Sequence, residues 1–120
     1  MKSANLKSQL NISHLRCEYL VNPLGMDERA PRLSWTIESE RRGAKQIAYR
    51  IRVAGAAEKL AAGAGDFWDS GRVESHQTTP ILYDGQPLRS RDVCPWNVEV
   101  WDEAGNVTTS APAFWKIGRA

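Results

Sequence analysis

From Trp96 to Trp101 the chain reads WNVEVW, with Trp96, Val98 and Val100 in one phase and Asn97, Glu99 and Trp101 in the other. A period of two marks a strand with one face on a core. Asp102-Glu103-Ala104-Gly105-Asn106 follows as a turn, and another apolar run then ends in Phe114, Trp115 and Ile117. Two such runs across a short Gly-containing loop predict a β-hairpin. The alternation recurs upstream. Leu33, Trp35 and Ile37 share a phase behind Pro31, which costs no ladder bond at a strand start. In IAYRIRVA (Ile47–Ala54), Tyr49, Ile51 and Val53 face inward and Arg50 and Arg52 outward. Ile12–Leu20 alternates less cleanly and predicts a first strand. Phe67–Gly71 predicts a short edge segment, and Pro80 within Thr78–Tyr83 argues for an edge or a bulge.

Between these runs lie turn signatures: Asn22-Pro23-Leu24-Gly25, Glu40-Arg41-Arg42-Gly43 and Asp84-Gly85. Met26–Ala30 reads as a polar connection. Ala56–Ala62 has helical propensity and is stopped by Gly63 and Gly65. So short a helix cannot hold itself in water and must lean on the strands. Leu88 is placed to plug one end of the core. Residues 1–11 are polar and aperiodic and read as a flexible tail, which leaves 12–118 as one folded domain. About seven short strands with frequent turns favour an antiparallel β-sandwich over a barrel, and no βαβ alternation supports a parallel sheet.

Composition narrows the function classes. Sixteen basic and fourteen acidic residues leave a net charge of +2. That balance, with no dense basic block, argues against nucleic acid. Arg41-Arg42 and Arg89-Ser90-Arg91 read as solvated loop charges. No apolar run is long enough for a membrane span, and the N-terminal residues lack a secretory apolar core. The expectation is a cytoplasmic chain, or an extracytoplasmic one whose signal has been removed. Without an export signal, Cys17 and Cys94 are expected to be reduced thiols packed as small apolar groups. His14 and His76 are isolated, with no Cys/His pair at ligand spacing, so no metal or cofactor is expected.

The strands carry more specific words. LRCEYLVNPLGMD (Leu15–Asp27), PRLSW (Pro31–Trp35), AYRIRVA (Ala48–Ala54), WDSGRVES (Trp68–Ser75), PLRSR (Pro87–Arg91) and VEVWDEAG (Val98–Gly105) occur in order. Together they resemble the N-terminal immunoglobulin-like or fibronectin type III-like domain of bacterial α-L-rhamnosidases, over Leu15 to about Gly118. The resemblance implies an all-β, seven-stranded antiparallel sandwich of that kind, with one short helix in a connection. It also implies a larger glycoside hydrolase whose (α/α)₆ barrel and inverting carboxylate pair lie downstream, with no matching catalytic position in this chain. Such sandwiches carry a Tyr early in the sixth strand whose hydroxyl locks a corner. Cys94 stands there, followed by Pro95, so the resemblance predicts a missing lock.

Inverting glycoside hydrolysis needs two carboxyls about 6.5–9.5 Å apart, one with a raised pKa. Asp66, Asp69, Asp102 and Glu103 are the acids beside aromatics, and turn Asp residues ordinarily bond their own backbone. The aromatics are the better candidates. Trp35 and Trp96 are in phase with the core, whereas Trp101 is out of phase, Trp68 lies on an edge and Phe114 is out of phase with Trp115. Trp68, Asp69, Trp101, Asp102 and Phe114 therefore form a candidate surface with two readings. One is docking of the downstream domains of a hydrolase by a noncatalytic accessory domain. The other is stacking of rhamnose-containing carbohydrate, with Asp69 or Asp102 accepting hydroxyl bonds. A free-standing interaction domain using a sheet edge is a third reading, which Pro80 and the outward Arg residues oppose.

Overall fold

The computed structural model describes residues 10–26, 30–39 and 43–118. Most of the expected tail, part of the Met26–Ala30 connection and the Arg41-Arg42 pair lie outside those residues. The strands are β1 (Asn11–Cys17), β2 (Arg32–Glu38), β3 (Gln46–Val53), β4 (Trp68–Asp69), β5 (Ile81–Leu82), β6 (Val93–Asp102), β7 (Val107–Thr109) and β8 (Ala113–Lys116). Among the described residues one short helix, α1 (Ala57–Ala61), follows β3. The strands form two antiparallel sheets, one ordered β1-β2-β5 and the other β4-β3-β6-β7, with β8 also on β6. The all-β sandwich expectation holds, with eight strands among the described residues where seven were expected. The extra one arises because the final run is interrupted. β7 pairs with Glu99–Trp101 and β8 with Val93–Trp96 of the same neighbour. At the break, Ser110 takes over both backbone groups of Val98: its N–H donates to the Val98 carbonyl and its Oγ accepts the Val98 N–H.

Alternation decides what is buried. Trp96, Val98 and Val100 of β6 meet Tyr49, Ile51 and Val53 of β3 and Leu33 and Trp35 of β2 in one cluster. Leu10 and Leu88 are buried in the same cluster. Leu60 anchors α1, which packs against β6. An irregularity in β3 escapes the pattern. A bulge between Gln46 and Ala48 lets Gln46 share the inner face with Tyr49 despite an odd spacing. Gln46 accepts the Trp35 indole N–H at 3.0 Å and donates to the Ser75 and Gln77 carbonyls. The Trp35 and Tyr49 rings meet edge to face, 5.4 Å apart.

At the other end, edge-to-face contacts run Trp68–Tyr83–Trp115–Trp96. Cys94, early in β6, brings no hydroxyl to this end, as expected. In the turn before β6 the buried Tyr83 donates its hydroxyl to the Gln86 carbonyl at 2.7 Å. Desolvation holds the Tyr83 phenol above its ordinary pKa, so it stays a donor. The fit requires glycine at 85: a Cβ there would lie 2.4 Å from the Phe67 oxygen and 2.6 Å from the Tyr83 hydroxyl.

Candidate functional site

The five candidate residues do not converge. Trp68 and Asp69 make up β4, at the open edge of the larger sheet. The Asp69 carboxylate accepts two bonds from Arg50, at 2.8 and 2.6 Å, and a third from the Gly71 N–H. The Arg50 guanidinium holds the Asp69 carboxyl below its ordinary pKa. Trp68 is half-buried against Tyr83 and borders an open cleft of about 390 Å³ with Tyr49, Pro80, Leu82 and Asp84. Pro80 immediately precedes the short edge strand β5, where its missing N–H disturbs no ladder.

Trp101 points to the outer face of the larger sheet, as its phase predicts. Its ring is covered: the Arg72 guanidinium sits 4.7 Å from the centroid. A sugar stacking on that face would first displace this cation–π contact. Asp102 is a correction. It is 1% exposed, not a surface acceptor. Its carboxylate accepts from the N–H groups of Ala104 and Asn106 and the Asn106 side chain, at 2.9, 2.8 and 3.1 Å, and thereby shapes the turn. The signal was present, because Asp102 continues the inward phase of Trp96, Val98 and Val100.

Phe114 lies on β8 opposite Pro95, and β3 and β6 separate that strand from β4. It joins residues that periodicity passed over. The loop between β1 and β2 exposes Tyr19 and Leu20 by 53% each, Val21 by 63% and Leu24 by 70%. The sequence pattern places Tyr19 and Leu20 in a strand and Leu24 in a turn. The loop runs beside β8, where Asn22 Oδ1 accepts the Phe114 N–H and the Pro23 carbonyl accepts the Lys116 N–H.

The remaining titratable groups are tuned for structure. Asp66 accepts from the Gly55 N–H and from Lys59, and both depress its carboxyl pKa. Glu18 is depressed by Arg32. A glycosidase general acid requires the opposite shift. Both cysteines are free and buried. Burial and the nearby Asp92 charge push the Cys94 thiol up to about 12, and burial raises Cys17 as well. Thiols held this way are poor nucleophiles. Among the described residues no group of three or more His, Cys, Asp or Glu is placed to hold a metal, and no helix is long and apolar enough to cross a membrane.

Comparison with known proteins adds the context. The family described as the Rha78A-like, N-terminal immunoglobulin domain matches residues 12–120. The α-L-rhamnosidase of Streptomyces avermitilis is 41% identical over 112 residues, which cover 92% of this chain and 11% of that protein. An α-L-rhamnosidase of Formosa agariphila is 32% identical over 94% of this chain and 12% of its own length. The solved structure of the S. avermitilis enzyme complexed with L-rhamnose superposes with a TM-score of 0.86 at 40% identity, over 92% of this chain and 11% of that one. The chain thus spans about 11% of the length of the S. avermitilis relative. The family match along nearly the whole length and the close superposition agree: the chain belongs to the Rha78A-like N-terminal immunoglobulin domain family.

Proposed function

We propose that this domain is a noncatalytic brace within an α-L-rhamnosidase, holding neighbouring domains in place. The observation that carries the reading is the match itself: nearly all of this chain corresponds to a small N-terminal immunoglobulin domain of much larger enzymes. The chemistry of the chain supports it. Its inner faces are filled by packed apolar rings, and Asp66, Asp69 and Asp102 are committed to cations or backbone N–H groups. A brace works through apolar area removed from water at a junction, about 25 cal/mol per Å², less the ordering cost.

The test is to remove the corresponding domain from the S. avermitilis enzyme and follow inactivation on heating. A shortened half-life with an unchanged KM is expected. An unchanged half-life with a raised KM would point to glycan capture instead and would overturn the brace. Titration of this chain with L-rhamnose, read by tryptophan fluorescence, is expected to stay flat, because Arg72 covers Trp101 and Tyr83 packs on Trp68.

A further inference from the structure

We propose that the loop from Glu18 to Met26, together with Phe114, is the face on which the following domain of an α-L-rhamnosidase docks. The inference rests on the brace reading and adds the surface to it. Three observations carry it.

The first is concentration. Tyr19, Leu20, Val21 and Leu24 put their side chains into water within one short loop, and Phe114 is tied to that loop through Asn22. Isolated exposed apolar residues are ordinary, but a contiguous group on a monomer marks a contact surface.

The second is rigidity. Glu18, Tyr19 and Asn22 all adopt left-handed backbone, at φ 52°, 65° and 43°. Side-chain-bearing residues hold that conformation where surrounding contacts impose it. Here Arg32 grips the Glu18 carboxylate through its backbone N–H and guanidinium, at 2.6 and 2.7 Å, and lies over the Tyr19 ring. Cys17 and Leu20 exchange backbone bonds, and Met26 is bonded to Lys116. Apolar side chains on so fixed a loop would lose little further freedom on binding, the condition for an anchor residue.

The third is where the polypeptide leaves. Gly118 donates its N–H to the Met26 carbonyl at 2.6 Å, and Ile117 bridges to Met26. The matched family is an N-terminal domain, so the rest of those enzymes follows it. Chain continuing from Gly118 starts at the base of this loop, and a domain tethered there meets the patch at high effective concentration.

The test is hydroxyl-radical labelling of two samples. One is this 120-residue chain alone. The other is the S. avermitilis enzyme carrying this chain in place of its matched segment, with rhamnosidase activity as the check on folding. Oxidation of Tyr19, Leu20, Val21 and Leu24 is expected to fall at least fivefold in the chimera, while Val107, exposed on β7 beside the opposite end of β6, keeps its labelling. Equal labelling of the loop in both samples, with protection elsewhere on the domain, would overturn the docking face and leave the brace standing. No protection anywhere would overturn both. Loss of loop labelling in the isolated chain as its concentration rises would make a second copy the occupant and overturn the proposal. An inactive chimera moves the same labelling to this chain mixed with the enzyme lacking its matched segment, read by the same criteria. Val21→Ser with Leu24→Ser is expected to shorten the heat-inactivation half-life of the chimera severalfold and leave the melting point of the isolated chain unmoved. Equal half-lives would count against the face.

Discussion

The ring series Trp68–Tyr83–Trp115–Trp96 and the Tyr19–Leu24 loop draw on the same kinds of side chain. The first turns its rings toward one another between the sheets, and Trp96 and Trp115 have almost no contact with water. The second turns its side chains outward from a backbone fixed by an ion pair and a cation–π contact. Hydrophobicity alone therefore does not separate structure from function here. What separates them is whether the residue belongs to a paired strand, whose register fixes the face it uses, or to a loop whose backbone has been bent to display it.

Substitutions can break this comparison at either end. The largest effect is expected from Trp96→Ala. Loss of a fully buried ring and the cavity left behind should cost about 3–5 kcal/mol, read as a collapsed denaturant midpoint. A loss below about 1 kcal/mol, the size of a surface change, would mean the ring series is not the core. Tyr83→Phe keeps the ring and removes the bond to the Gln86 carbonyl. It should cost about 1 kcal/mol and raise amide exchange around Gln86. An unchanged midpoint would show that the bond adds no stability.

The loop has its own acid signature. Arg32 lowers the Glu18 carboxyl pKa in the folded chain. The unfolded chain then takes up protons more readily in acid, so the ion pair's contribution is complete above the ordinary glutamate value of 4.5 and is lost as pH falls below it and through the folded value. Half-exposure of Arg32 keeps the effect small. Tyr19 ring resonances should move in that acid window and stay still in a Glu18→Gln variant. Identical titrations would detach the ion pair from the loop. The smallest effect is expected from Leu24→Ser in the isolated chain, within about 0.5 kcal/mol of the parent. A larger loss would place Leu24 in the core and erase the contrast.

How far the sequence could be read depended on periodicity. The phase of β6 separated Trp96 from Trp101 correctly, and the phases of β2 and β3 placed Trp35, Tyr49, Ile51 and Val53. Treating Asp102 as turn stopped the inward phase one residue too soon. Gln46 was missed because a bulge breaks the spacing that reveals a face. The interruption at Ser110 was missed because Val107–Ile117 reads as a single run toward Phe114, Trp115 and Ile117. The β1–β2 loop was out of reach for a stronger reason: its exposure depends on left-handed backbone imposed by Arg32, Phe114 and Lys116, residues distant in the chain.

Local alternation and turn chemistry determined by themselves that this chain is a two-layer antiparallel sandwich with Trp35 and Trp96 inside, since side-chain direction in a strand follows from the pleat. The words along those strands determined the resemblance to the rhamnosidase N-terminal domain. Tertiary structure alone decided that Arg72 covers Trp101 and that Tyr19, Leu20, Val21 and Leu24 face water. Each depends on which distant segments come together, and pairing between distant segments has no period a sequence can display.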